Sequence, residues 1–189
     1  MPDRPRKKVL IITADGFEDS ELLVPLQQLR EIGFKVDVAS LKKGMLRGKH
    51  GHTVEAGLSV DGVSADSCEG LLLPGGRAPA KPRDQPAVQA VVRAFMAQKK
   101  SIAAICHGPQ ILLSAGVLKG KRATGYQAIA DELRRGDVVY EDRAAVVDSN
   151  LITSRHPGDL PAFMEAFMAA LLQTQPADFD HLKHRRSYT

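Results

Sequence analysis

A cysteine followed at once by a histidine, where an apolar strand gives way to a helix, is the feature of this sequence best placed to do chemistry. The segment is Ser101-Ile102-Ala103-Ala104-Ile105-Cys106-His107-Gly108-Pro109-Gln110. Ile102 to Ile105 is a β-type apolar run, and Ile111-Leu112-Leu113 continues with helical apolar contacts. Ala104 and Gly108 flank Cys106 at the spacing of a nucleophile elbow, with Ala in place of the first glycine and Cys in place of serine. The pattern places Cys106 near a helix N-terminus, where free N–H groups and the helix dipole favour a thiolate and lower the thiol pKa. Pro109 suits the first turn of that helix, which needs no N–H from it. The alternative is an inert cysteine buried in a sheet core. His107 is the natural general base, but neighbouring side chains at an elbow tend to diverge, so it needs a third group to orient it. Gly75 and Gly76 follow an apolar run, and without side chains their N–H groups can approach a bound oxygen closely; a plain tight turn would use the same pair.

These residues need elements to hold them. Lys8 to Ala14 is nearly all apolar, as in a parallel strand covered on both faces. The stripe Leu22, Leu23, Leu26, Leu29 and Ile32 predicts a helix from about Ser20 to Ile32, ended by Gly33. Phe34 to Ala39 then completes a β-α-β unit. Gly51 to Val54 and Leu58 to Val60 read as the strands of a side hairpin. Gly70 to Leu73 reads as another buried strand, and Asp84 as the cap of a helix running through Lys99. Beyond the elbow, a helix is expected near Ala128 to Arg135. Short strands are expected at Val138–Tyr140, Ala145–Val147 and Leu151–Thr153, and a last helix from Asp159 to about Gln173.

The repeated alternation predicts an α/β fold, a three-layer sandwich with a mostly parallel central sheet of flavodoxin-like or class I glutamine-amidotransferase-like type. In such sheets reactive groups gather at the C-terminal ends of the strands. That rule brings Asp15 to Glu18, Pro74-Gly75-Gly76 and Cys106 to one edge. A single domain is expected over residues 8–174, with a basic extension at 1–7 and a polar, mobile tail at 175–189.

Composition narrows the function classes. With 43% hydrophobic and 25% charged residues, the 189-residue chain is that of an ordinary globular protein. No apolar run approaches the ~20 residues of a membrane span, and no signal-peptide core precedes Asp15, so a cytoplasmic protein is expected. The net charge of +4 sits in the first eight residues and the last fourteen, leaving a formally neutral body with no tryptophan to stack on bases. Nucleic acid is therefore not an expected partner. Two cysteines make no disulfide framework, and the scattered histidines show no zinc-type spacing, so neither metal nor cofactor is expected. Cys68, beside the Leu71-Leu72-Leu73 run, reads as structural.

The elbow Ala104-Ile105-Cys106-His107-Gly108-Pro109 resembles that of the PfpI family of intracellular cysteine peptidases, within the superfamily that includes the parkinsonism-associated protein deglycase. Three further segments match in order: Ala14-Asp15-Gly16-Phe17-Glu18-Asp19-Ser20-Glu21, Leu73-Pro74-Gly75-Gly76-Arg77-Ala78-Pro79, and Ser154-Arg155-His156-Pro157-Gly158-Asp159-Leu160. The resemblance implies that Glu18 is the acid at the cysteine sulfur. It implies an oxyanion hole from Gly75, Gly76 and the N–H of His107, with Tyr126 near the pocket mouth. It also implies a homodimer or larger assembly. The family's peptidases orient their histidine with a glutamate, donated by a neighbouring subunit, where this chain has Ala80. That departure favours a stress-response, cysteine-dependent hydrolase or lyase acting on small reactive carbonyls or their adducts, over an intracellular peptidase acting on peptides. A redox sensor or chaperone using the same oxidisable Cys106 is the non-enzymatic alternative.

Overall fold

Strands buried on both faces need apolar side chains at every position, and this chain supplies them in alternating sets. The computed structural model describes residues 7–173. Its main sheet has seven strands in the order β10-β11-β7-β6-β1-β2-β5. These are β1 (Lys8–Ile12), β2 (Lys35–Ser40), β5 (Leu58–Ser59), β6 (Gly70–Leu73), β7 (Ser101–Ile105), β10 (Ala145–Asp148) and β11 (Leu151–Ser154). All neighbouring pairs are parallel except β10–β11. Val9, Ile11, Leu72, Ala103 and Ile105 face one layer, and Leu10, Ile12, Leu71, Leu73, Ile102 and Ala104 face the other.

On the first face lie α1 (Asp19–Glu31) and α5 (Leu160–Leu172), joined to the sheet by Leu22, Leu26, Leu29, Phe163 and Phe167. On the second lie α2 (Pro86–Ala97), α3 (Pro109–Ser114) and α4 (Ala130–Arg135), through residues such as Val88, Phe95, Leu112 and Leu133. The expected α/β sandwich with a mostly parallel sheet is therefore the observed one. Two small ribbons complete it: an antiparallel hairpin of β3 (Gly44–Arg47) and β4 (Thr53–Ala56), and a parallel pair of β8 (Arg122–Ala123) and β9 (Val139–Tyr140).

Several local expectations need correcting. The side hairpin pairs Gly44–Arg47 with Thr53–Ala56, while Leu58–Ser59 joins the main sheet as its edge, parallel to β2. Alternation in Gly-rich sequence does not specify a partner, because both faces of such strands are weakly apolar. Asp84 does not cap α2. It closes a 3₁₀ turn, Pro82–Asp84, and Gln85 takes the N-cap with no side-chain bond while Pro86 opens the helix. The helix near Ala128 is split into a 3₁₀ turn, Gln127–Ile129, followed by α4. The expected tail at 175–189, and all of the N-terminal extension but Lys7, lie outside the described residues.

Phe167 is fully buried and stacks with Phe163 at a centroid distance of 6.5 Å between α5 and the sheet. Truncation there removes both the transfer free energy and the contacts around the cavity left behind. Phe167→Ala is expected to lower stability by about 3–5 kcal/mol. Urea unfolding checks this as a fall in midpoint at an unchanged slope.

Candidate active site

Cys106 ends β7 in a left-handed backbone conformation, φ +61°. For a residue with a side chain this costs roughly 1–3 kcal/mol, and it persists only where the surroundings over-determine it. Here they do. The Cys106 N–H donates to the Ser154 carbonyl at 3.1 Å, and its own carbonyl accepts from the Tyr126 N–H at 2.8 Å. The chain then turns back through Gly108, whose N–H reaches the Ile105 carbonyl at 2.8 Å. A Cβ on Gly108 would lie 2.2 Å from the Leu73 carbonyl oxygen, so the elbow closes against β6 only with glycine there. Cys106 is 7% exposed.

The acid beside the sulfur is Glu21, not Glu18. Glu18 precedes α1 and its carboxylate is engaged elsewhere, 3.3 Å from Lys49 Nζ and 3.1 Å from His50 Nε2. Glu21, one helical turn on, is fully buried, and its carboxyl interacts with the Cys106 thiol. Its Oε2 accepts the Gly75 N–H at 2.8 Å, and its Oε1 is buried without an ordinary hydrogen-bond partner. Burial, with Glu18 adding to it, raises the Glu21 carboxyl from its ordinary 4.5 to about 7. Glu21 was visible in the sequence as an acid out of place, because it lies on the same stripe of α1 as Leu22, Pro25, Leu26 and Leu29.

The glycine pair divides its labour. The N–H of Gly75 is occupied by Glu21, so Gly75 is not an oxyanion donor as expected. What Gly75 contributes is space. A Cβ there would lie 2.6 Å from the Cys106 Cβ and 2.7 Å from Glu21 Oε2, so its absence lets thiol and carboxyl meet. Gly76, at φ +75°, and His107 direct their N–H groups to the sulfur and favour its charged form. The loop after β6 is held against the loop after β1 by Glu18 N–H to the Gly75 carbonyl at 3.3 Å and Arg77 N–H to the Gly16 carbonyl at 2.8 Å. That pairing seats α1, and hence Glu21, beside β7.

The thiol itself is pushed up to about 12, chiefly by burial and then by the negative charge that Glu21 carries when ionised. This reverses the expected effect of the elbow. Two acids in one buried site do not both ionise near neutral pH, so the pair, once it has lost one proton, shares the one that remains. His107 Nδ1 lies 3.3 Å from Cys106 Sγ, so the two side chains stay together. Burial holds His107 below its ordinary 6.5, which leaves the imidazole neutral near pH 7 and able to accept a proton. Tyr126, 41% exposed, packs its ring on His107 at 5.1 Å. A cleft of about 410 Å³ lies beside the pair of loops, lined by Asp15, Gly16, Arg47, Gly48, Lys49 and Arg77 and by none of the reacting groups.

Ala80 stands exposed in the 3₁₀ turn Ala78–Ala80 and offers no acid to His107. Glu132, which the sequence did not single out, is a carboxylate that acts on the imidazole. Arg155 is tied to Asp159 at 2.8 Å and to Asp142 at 2.8 Å, away from the thiol in this network. Cys68 is buried, in line with a structural role.

A carboxyl whose pKa is higher in the folded than in the unfolded chain binds more protons when folded, so stability falls as pH rises between the two values. For Glu21 that window runs from about 4.5 to 7. Glu21→Gln is expected to abolish this slope and to be about 3 kcal/mol more stable than the parent at pH 8. Urea titrations at several pH values between 4 and 8 measure it.

The chain is similar to known proteins over most of its length. Residues 7–170 match the model of the DJ-1/PfpI family. Deglycase PfpI of Pyrococcus furiosus is 46% identical over 87% of this chain and 99% of its own length. General stress protein 18 of Bacillus subtilis is 38% identical over 87% of this chain and 98% of its own. The crystal structure of Drosophila melanogaster DJ-1beta superposes with a TM-score of 0.85 at 29% identity, covering 97% of this chain and all of that one. With the family model matched over residues 7–170 and close relatives matched over nearly their whole length, this chain belongs to the DJ-1/PfpI family.

Proposed function

We propose that this protein is a stress-response deglycase of the DJ-1/PfpI type, acting through Cys106 on small reactive carbonyls or their adducts. The observation that carries the reading is the buried Glu21–Cys106 pair facing Gly76 and His107 N–H donors. The deglycase name of the Pyrococcus relative supports it.

The chemistry follows from one shared proton. With the proton on Glu21, the sulfur is a thiolate held by the Gly76 and His107 N–H groups. It adds to the aldehyde carbon of a dicarbonyl such as methylglyoxal. Glu21 gives its proton to the new alkoxide, which completes a hemithioacetal on Cys106. His107, neutral and 3.3 Å from the sulfur, removes the proton from that carbon. The same proton returns at the neighbouring carbon, while Glu21, now ionised, carries the hydroxyl proton across to the former ketone oxygen, so the ketone becomes an alcohol and the sulfur carries a thioester. Water then releases lactate, and the thiol and Glu21 regain their starting protons. No metal or cofactor enters this sequence.

Peptide hydrolysis asks more of the histidine, which must protonate a departing amine in a fixed orientation, and Ala80 supplies nothing for that. We further propose a cytoplasmic homodimer or an assembly of dimers, by analogy with the family. Among the described residues no helix is long and apolar enough to cross a membrane.

The first test is loss of methylglyoxal with substrate in large excess. Many turnovers per Cys106 are expected, none from Cys106→Ser, and a kcat lowered about 10²- to 10⁴-fold in Glu21→Gln. Loss that stops at one equivalent per thiol would replace the enzyme with a reactive, oxidisable cysteine.

A further inference from the structure

The mechanism above leaves His107 without a fixed partner on its far side, yet a charged cluster sits beside it with no other assigned task. Glu132, in α4, accepts Arg83 Nη2 at Oε1 and Gln110 Nε2 at Oε2, each at 2.6 Å. Arg83 is itself held, by Nε to Ser114 Oγ at 3.0 Å and by its carbonyl accepting Gln89 Nε2 at 2.9 Å. Gln110 belongs to the first turn of the elbow helix, and its N–H donates to the His107 carbonyl at 3.0 Å. On the other side, the turn that leads into α4 starts at Tyr126, whose carbonyl accepts the Ile129 N–H at 2.9 Å and whose ring lies on His107. Glu132 therefore ties the backbone that carries His107 to the helix that follows its stacking partner.

We propose that Glu132, clamped by Arg83 and Gln110, is the positioning carboxylate of His107, supplying from within the chain the negative charge that the family's acid would bring to the position of Ala80. This rests on His107 being the base of the proposed reaction. The charged and titratable groups around the imidazole are Cys106 at its Nδ1, Tyr126 on its face, and Glu132 and Lys49 through space. Burial and Lys49 weaken the imidazole as a base, and Glu132 works against both. Burial opposes the charge on Glu132, but the Arg83 and Gln110 hydrogen bonds prevail and keep its carboxyl below the ordinary 4.5. It is thus ionised at neutral pH, where His107 is neutral. With both oxygens engaged, Glu132 acts by its field and by holding the elbow helix to α4.

The test is the titration of the His107 imidazole, followed by NMR on full-length protein labelled in histidine and assigned by the resonance missing from His107→Asn. In Glu132→Gln the midpoint is expected to fall by about half a pH unit or more, and in Glu132→Asp, which keeps the charge, to return most of the way. Methylglyoxal turnover is expected to show kcat down about threefold or more, with KM changed less than about twofold. If Glu132→Gln does not fold, Glu132→Ser removes the same charge with a smaller side chain and is read in the same way. An unmoved midpoint in a folded variant overturns the inference, even if kcat falls, because Glu132 would then be only a tie between helices. A midpoint that falls in a protein without turnover supports the role of Glu132 and sinks the proposed reaction instead.

Discussion

One proton shared between two buried acids governs the site. Glu21 and Cys106 meet over Gly75, with the carboxyl raised to about 7 and the thiol to about 12, because neither can ionise beside the other without water to spread the charge. The charge they jointly hold at neutral pH can rest on oxygen, where Gly75 N–H receives it, or on sulfur, where Gly76 and His107 N–H receive it. Moving a proton between these atoms makes a nucleophile without changing the net charge of the pocket.

Holding the pair together uses strain and close approach, and the fold is built to withstand both. The elbow's left-handed φ is fixed by backbone bonds to β11 and to Tyr126. Glycines at 75, 76 and 108 stand where a Cβ would strike backbone or a reacting group at under 3 Å. On the opposite side, the loop after β3 is strapped to the start of α1: buried Asp19 accepts the N–H groups of His50 and His52 and the His52 ring at 2.7 Å. Glu18, expected at the sulfur, belongs to this strap through Lys49 and His50. It steadies the helix whose next turn presents Glu21.

The sheet was legible because parallel strands buried on both faces leave unbroken apolar runs, and Lys8 to Ile12 or Ile102 to Ile105 can be little else. Cys106 was legible because an elbow needs small residues at fixed spacing. The acid was misplaced by three residues because helix phase decides it: Glu18 lies before α1, while Glu21 falls on the apolar stripe of Leu22, Leu26 and Leu29 that packs on the sheet. The hairpin partner of β3 was hidden for a related reason, since weakly alternating Gly-rich segments fit several registers. Glu132 gave no signal, being charged, on a short helix, and joined to Arg83 and Gln110 only by tertiary folding.

Position 80 carries an alanine, with no acid to offer, and that shapes what the site can do. A histidine oriented by a direct carboxylate contact becomes a strong, directional base that can also protonate a leaving amine. Here the imidazole is half-buried, weakened by desolvation and in tilted contact with a tyrosine, and Glu132, the carboxylate that acts on it through space, is engaged by other donors. Such a base suits a proton on carbon already acidified by an adjacent carbonyl, which leaves readily and travels one atom. It does not suit an amide, whose amine must be protonated as the bond breaks. The same protein frame therefore favours addition to an aldehyde, where the nucleophile and its acid do most of the work and the histidine only moves a labile proton.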